Sequence, residues 1–359
     1  MDFEVDAKTP DPPSAIIALT HHGVELALRI RAKLPGSVCY VPERHQFALA
    51  MGARGFERFG DVVPKLWVEY HSLIFIMATG IVVRRIGPLM RLKTVDPAVV
   101  VLDERGNFCI SLISGHLGGA NALARRVAFI TGGQPVITTA SDVQDKPSID
   151  LIAQEEGLEI ENLPRLKTAA RAIIEDTPLG IFDPYAVLRP RLAMLSNIQW
   201  IDDAGEGRIQ AGIPCVWVCE RKAPPDWPCL LLRPRNLIVG IGCNRNTPAE
   251  EILELVHAVF SRERISILSI RNLASIDLKS DERGILEAAA YLRRPVYFHS
   301  RSDVEAIHVP NPSAQVQNHV GVPSVCEATA LLSARNGALI IPKQKTRNVT
   351  LAVVRAVYP

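Results

Sequence analysis

The sequence has no apolar run of the roughly 18 to 20 residues that a membrane span needs, so no transmembrane segment is expected. It has no excess of charge either: 40 Lys and Arg stand against 38 Asp and Glu, a formal net charge of +2. The basic residues are dispersed, and no basic stripe interleaved with aromatics marks a nucleic-acid surface. Met1 to Ser14 is acidic and proline-rich, without the charged and apolar regions of a signal peptide. It reads as a disordered leader (1–14) on a cytoplasmic protein. Seven cysteines, an odd number, show no paired framework, which suits a reducing compartment. Cys215, Cys219 and Cys229 lack the second close pair of a zinc site, and Cys215 to Cys219 alternates like a strand, so no metal site is assigned. There is no Walker pattern, and Gly240-Ile241-Gly242 lacks the third glycine of a dinucleotide fingerprint.

Turning to what is there, 359 residues with 48% hydrophobic and 22% charged side chains suit a soluble chain of about two to three domains. The stretch that organises the first part is Ser114-Gly115-His116-Leu117-Gly118-Gly119-Ala120-Asn121. It follows an apolar strand candidate, Phe108 to Ile113, and precedes helical apolar spacing over Ala122 to Ile130. A glycine-rich turn at a strand-to-helix junction admits a ligand to the backbone and aims free N–H groups at negative charge. This one also carries a hydroxyl, an imidazole and an amide, so anion-binding and catalytic readings both stand.

Upstream, Ala15 to Thr20 reads as a buried strand turning at His21-His22-Gly23 into a helix over Val24 to Leu34, then a strand at Val38 to Val41. The two histidines suit helix capping or a ligand role equally. Ser72 to Met77 is the next strand, followed by Thr79-Gly80 and a helix bearing Arg84, which is able to hold a carboxylate. Ala98 to Leu102 is another strand, with a hairpin-like turn at Asp103 to Asn107, and Pro135 to Asp142 supplies a strand with a polar exit. The ends at Thr20, Thr79-Gly80, Ser114 to Asn121 and Thr138 to Asp142 are expected to converge on one ligand crevice.

The expected fold class is α/β: a Rossmann-like three-layer domain over 15–145, a small variable middle region over 146–234, and a separate α/β domain over 235–359. The middle region is rich in proline, with a loop at Pro224 to Pro228. The last region opens with a strand into Gly240-Ile241-Gly242-Cys243-Asn244, and Thr247-Pro248 then starts a helix with Thr247 as N-cap. A helix over Asp281 to Leu292, a strand at Val296 to Phe298, a helix over Ala328 to Ala334 and two closing strands follow. Between the closing strands, Pro342 to Asn348 reads as a cationic hairpin end, either a solvated turn or a binding element.

Taken together, the pieces resemble the cobalt-precorrin 5A hydrolase family of the anaerobic cobalamin pathway. The resembling residues are Ala78 to Arg84, Asp96 to Val100, Ser114 to Asn121 and Pro135 to Ala140. In the second half they are Gly240 to Arg245, Ile276 to Lys279, Gly321 to Ala328 and Pro342 to Lys345. The resemblance covers nearly the whole chain and is loosest over 146–234. Asn246 stands where the family pattern has glycine, and Thr346-Arg347 where it has Ser-Gly. The second half alone also resembles a small protein of the aerobic pathway with no assigned catalytic step.

What the resemblance implies is opening of the δ-lactone of cobalt-precorrin 5A and release of a two-carbon unit as acetaldehyde, giving cobalt-precorrin 5B. The substrate is a flat macrocycle fringed with carboxylates that brings its own cobalt, so no cofactor is expected. On that reading His116 is the first candidate acid/base, with Glu327 and Asp277 behind it, and Ser114 a hydrogen-bonding group rather than a nucleophile, since it lacks the Gly-x-Ser-x-Gly elbow. Gly118 and Gly119 are candidate oxyanion donors. Substrate contacts are expected from Thr79, Gly80, Arg84, Gly115, Asn121, Thr138, Gly240, Gly242, Asn244, Lys279, Ser324, Lys343 and Lys345. Transient contacts with neighbouring pathway enzymes and a homodimer are left open. The alternatives are a non-catalytic tetrapyrrole carrier and a nucleotide-dependent enzyme.

Overall fold

A computed structural model describes residues 13–92, 95–202, 212–307, 309 and 324–358. The expected leader, apart from its last two residues, and the family-like stretch Gly321 to Pro323 lie outside the described residues. The chain divides into two compact units, 1–151 and 152–359.

The first unit is built on seven strands: β1 (Ser14–Ala18), β2 (Ser37–Pro42), β3 (Arg54–Phe56), β4 (Ser72–Ile76), β5 (Ala98–Leu102), β6 (Phe108–Ile113) and β7 (Gln134–Val136). Their order across the sheet is β3-β2-β1-β4-β5-β6-β7. The central strands are apolar throughout because both of their faces are covered. Ile16, Ile74, Ile76, Val100 and Leu102 pack in one core with residues of the helices His21–Lys33 and Ala120–Thr131. Their neighbours Ile17, Leu73, Phe75, Val99 and Val101 pack in the other, with the helices Phe59–Glu69 and Thr79–Ile86. That alternation produces the three layers.

Strand direction corrects one expectation. β1, β2, β4 and β5 are parallel, but β6 runs antiparallel to β5, with Val99 opposite Ile113 and Leu102 opposite Cys109. β7 is parallel to β6. The ends of β1 and β4, with Thr20 and Thr79, therefore lie at one edge of the sheet. The ends of β6 and β7, with Ser114 and Thr138, lie at the other. The four strand ends do not form one crevice. The cause is the tight turn between β5 and β6, where the Asp103 carboxylate accepts the N–H groups of Arg105 and Phe108 at 2.9 and 2.8 Å and Gly106 takes φ +74°.

The second unit carries two five-stranded sheets. The first has β8 (Glu159–Ile160), β9 (Leu179–Phe182), β10 (Ile198–Ile201), β11 (Cys215–Val218) and β12 (Cys229–Arg233), in the order β10-β9-β11-β12-β8. Cys215 and Cys229 are directly paired in register on β11 and β12, with Cα atoms 4.3 Å apart, and they form a disulfide. This corrects the reading of the cysteines as unpaired. A 14-residue separation across a proline-rich loop has no recognisable spacing, and only strand pairing brings the two thiols together.

The other sheet has β13 (Leu237–Cys243), β14 (Ile270–Ile276), β15 (Val296–His299), β16 (Ala338–Lys345) and β17 (Val349–Arg355), in the order β15-β14-β13-β17-β16. Lys343 and Lys345, expected in a hairpin end, are strand residues. Leu237, Val239 and Ile241 pack with the helices Ala249–Arg262 and Arg283–Leu292, while Ile238 packs with the helix Val325–Ala334. Thr247 does not cap the helix: Pro248 takes the N-cap position and the Thr247 hydroxyl donates to Asn244 O at 2.9 Å. The two sheets share buried polar ties. Glu220 is almost wholly buried and accepts hydrogen bonds from Tyr185 and from Arg355 of β17, the latter at 3.0 Å.

Gly240 lies where helix Val325–Ala334 crosses β13, and a Cβ there would sit 1.8 Å from the Cys326 carbonyl oxygen. Gly240→Ala is therefore expected to force helix and strand apart and cost about 3 kcal/mol, the upper end of the usual overpacking range. Urea unfolding monitored by circular dichroism would measure this, and an unchanged midpoint would show that the close approach is dispensable.

Candidate functional site

The loop Ser114 to Gly119 folds back on itself rather than standing open. Ser114 takes φ +58° and Gly119 φ +86°, and a Cβ on Gly118 would lie 2.3 Å from the Ser114 Cβ. In this curl the Ala120 and Asn121 N–H groups donate to Ser114 O and Gly115 O at 3.1 and 3.0 Å, and the Gly119 N–H to His116 O at 2.8 Å. The loop's own carbonyls thus satisfy the first donors of the helix Ala120–Thr131. Gly119 is consequently no oxyanion donor here, while the Gly118 N–H donates to no described residue. The Ser114 hydroxyl donates to Asp96 O at 3.1 Å.

What the curl presents is His116, four-fifths buried and held on both ring nitrogens. Its Nε2 lies 3.0 Å from Asp142 Oδ2 and 3.1 Å from Ser141 Oγ. Its Nδ1 lies 3.0 Å from Ser148 Oγ, which itself donates to Asp150 Oδ1; the direct Nδ1 to Asp150 distance is 3.6 Å. At that range Asp150 acts on the ring as a charge, with Ser148 carrying the hydrogen bond. Asp142 is fixed in turn: Arg125 binds its Oδ1 at 2.6 Å, and Asn121 donates to its Oδ2 at 2.9 Å and to Thr139 Oγ1 at 2.9 Å. Asn121 is buried and accepts the Ser111 hydroxyl at 2.6 Å. Gly115 is required beneath it, since a Cβ would come within 2.8 Å of Asn121 Oδ1.

The electrostatics follow from this packing. Asp150 is the largest influence on His116 and raises its pKa; burial opposes, and Asp142 adds to the rise. Burial pushes the two carboxylates up, but His116 with Arg125 outweighs it at Asp142, and His116 with Ser148 outweighs it at Asp150, so both end below the ordinary range. A cationic imidazole with two anionic carboxylates meets every hydrogen-bond demand in the cluster. Beside it opens a cavity of about 320 Å³ lined by Ser111, Ser114, Gly115, His116, Thr138 and Asp150 among others. Of the expected site residues, His116, Ser114, Gly115, Asn121 and Thr138 meet at this cavity.

Thr79, Gly80 and Arg84 do not belong to it, because they lie at the opposite edge of the sheet, where Arg84 Nη1 reaches back to Gly80 O at 3.4 Å. Ser141, Asp142, Ser148 and Asp150 were not among the expected site residues. Asp142 stands in the polar exit of β7 that the sequence does show; Ser148 and Asp150 lie far along the chain, and no local spacing ties them to His116.

The remaining candidates belong to the second unit. Gly240 is buried under the helix, a packing position closed to a ligand. Gly242 lies close under Thr350, whose hydroxyl donates to Gly242 O at 3.2 Å. Glu327 is wholly buried and accepts the Lys343 N–H at 2.9 Å, and Ser324 is wholly buried at the helix start. Asn244 pairs with Asn348, Lys279 with Glu282 at 3.4 Å, and the exposed Asp277 accepts the Leu278 N–H at 2.7 Å. Lys345 is exposed on β16. Among the described residues no group of three or more His, Cys, Asp or Glu could hold a metal ion, and no helix is long and apolar enough to cross a membrane.

Comparison with known proteins adds what geometry cannot. Family models described as cobalamin synthesis G N-terminal, cobalamin biosynthesis central region and cobalamin synthesis G C-terminus match residues 61–142, 147–234 and 237–354. A relative from Priestia megaterium named cobalt-precorrin-5A hydrolase is 31% identical over 96% of this chain and 95% of its own. One of the same name from Salmonella typhimurium is 31% identical over 94% and 96%. Protein CobE from a Sinorhizobium species is 33% identical over 33% of this chain and 79% of its own.

The cluster makes a sharp prediction for pH. An NMR titration of the His116 ring should give a pKa above the ordinary value of about 6.5, and Asp150→Asn should lower it. The raised imidazole stabilises fully below about pH 6.5 and its contribution is lost as pH rises through the folded value. The lowered carboxylates stabilise above about pH 4 and their contribution is lost as pH falls through theirs. The cluster therefore supports the fold best between about pH 4 and 6.5. A His116 pKa at or below 6.5 would overturn the cationic assignment.

Proposed function

The chain belongs to the cobalt-precorrin-5A hydrolase family, a family of hydrolases of cobalamin biosynthesis, and from this premise we propose that it acts on cobalt-precorrin 5A. The reaction is opening of the δ-lactone and loss of the two-carbon unit as acetaldehyde, leaving cobalt-precorrin 5B. The metal enters with the substrate. The observation that carries the assignment of chemistry to the first unit is His116, held between two carboxylates beside a cavity.

Water adds to the lactone carbonyl, the acyl carbon–oxygen bond breaks, and the two-carbon bridge is left with an alcohol oxygen. That oxygen takes up a proton as it departs, and a cationic His116 is suited to supply it as a general acid. The neutral imidazole so formed is then a base for the same hydroxyl. When it removes that proton, the carbonyl of acetaldehyde forms, the adjoining carbon–carbon bond breaks, and its electron pair passes to the ring carbon. Asp142 and Asp150 hold the imidazole in place and favour return of its proton. The Gly118 N–H, which has no described acceptor, is suited to the lactone oxyanion.

The substrate's carboxylates call for cations, and Arg125 borders the cluster in the first unit while Lys279, Lys343 and Lys345 lie in the second.

Incubation of the full chain with cobalt-precorrin 5A under anaerobic conditions should release one acetaldehyde per lactone opened. His116→Ala should lower turnover about 10²- to 10⁴-fold with little loss of binding. Tight binding without acetaldehyde from a folded wild-type sample would instead identify a tetrapyrrole carrier.

A further inference from the structure

The second unit contains a larger cavity, about 600 Å³, that the proposed reaction does not use. It lies beside the first residues of β14 and the last turn of the helix Val325–Ala334, and its walls include Arg271, Tyr297, His299, Ser333 and Arg335. Lys279, by contrast, follows the far end of β14, and Ser324 begins that helix. The cavity is therefore separate from the group of expected substrate residues in this unit.

Among the described residues, the cavity is lined by two arginines and no carboxylate. Arg233, Arg245, Arg294 and Arg355 all have carboxylate partners. Arg271 has none among the described residues: its Nη2 donates to Ser333 O at 2.9 Å and its Nε to Asn272 Oδ1 at 3.3 Å. The guanidinium of Arg335, exposed just beyond the helix, bonds to no described residue. Cations at a helix C-terminus are favoured by its dipole, but that dipole amounts to only about half a negative charge. Two guanidiniums exceed it by about one and a half charges, more than helix capping explains.

Asp303, the carboxylate that acts on His299, is held by the Ser300 hydroxyl at 2.6 Å and does not line the cavity. His299, whose pKa burial lowers, places its Nε2 2.7 Å from Ser333 Oγ. Tyr297, on the edge strand β15, is 54% exposed and presents its aromatic ring to the cavity.

We infer that this cavity binds a small organic anion, its carboxylate or phosphate oxygens met by Arg271 and Arg335 and its planar body resting on Tyr297. Guanidinium groups suit both kinds of oxyanion, since their planar donor fork matches either geometry.

Calorimetric titration of the full chain with phthalate, and separately with phenyl phosphate, tests the assignment. Binding of either probe is expected, and the tighter of the two identifies the class of oxyanion. Arg335→Gln, which removes no described contact of the fold, should weaken binding about tenfold or more, and Arg271→Lys should weaken it severalfold while keeping a charge at the helix end. Tyr297→Ala should weaken both probes severalfold. Acetaldehyde release from cobalt-precorrin 5A should be the same in Arg335→Gln as in the wild type. No heat with either probe at millimolar concentration, or affinity unchanged in Arg335→Gln, overturns the site. An affinity unchanged in Tyr297→Ala overturns the placement of the planar body.

Discussion

The reversal of direction between β5 and β6 is the constraint that decides where the polar loops of the first unit emerge. In a sheet of parallel strands alone, every strand would deliver its following loop to the same edge, and ligands would gather there. Here β6 returns antiparallel, so the loop Ser114 to Gly119 opens at the edge where β5 begins. Ser114 is consequently bonded to Asp96, just before β5, rather than set beside Thr79. β7 follows β6 in direction and brings Thr138, Thr139 and Asp142 to the same edge. One hairpin thus divides the polar loops of this unit into two groups.

The same loop shows how composition can suggest the wrong use of glycine. Its glycines look suited to exposing N–H groups to an anion. In the folded chain they allow a tight curl: Gly118 lies over Ser114, Gly115 lies under Asn121, and the first donors of the helix are spent on the loop's own carbonyls. What the curl places beside the cavity is the His116 imidazole, held between Asp142 and Asp150. Two carboxylates and two hydroxyls around one ring favour its cation, and Arg125 offsets part of the negative charge that would otherwise accumulate. Such a group is suited to giving a proton first and taking it back second.

Gly240 in the second unit makes the parallel point. Its place in a Gly-x-Gly turn invites a ligand reading, yet its missing Cβ is what lets the helix Val325–Ala334 rest against β13. Glu327, attractive in sequence as an acid at a helix start, is buried against the backbone of β16. Both residues hold a sheet and a helix together.

The apolar strand runs, the helix that follows each and the glycine loop were legible in the sequence because they are local. A strand covered on both faces is apolar throughout, and a helix repeats every 3.6 residues, whatever lies elsewhere. The middle region was less legible, since its strands are two to five residues long and separated by proline-containing segments. The hairpin-like turn at Asp103 to Asn107 was legible too, but its consequence for where Ser114 emerges is a property of the whole sheet. By itself the sequence determined the α/β class and most strands and helices of the first and last regions, and it drew attention to His116 as an imidazole within a glycine-rich loop. Only the tertiary structure decided that Asp142, Ser148 and Asp150 are its partners, that Thr79 and Arg84 are not, and that Cys215 meets Cys229. These are contacts between residues distant in the chain, set by strand direction and register, and no local pattern encodes them.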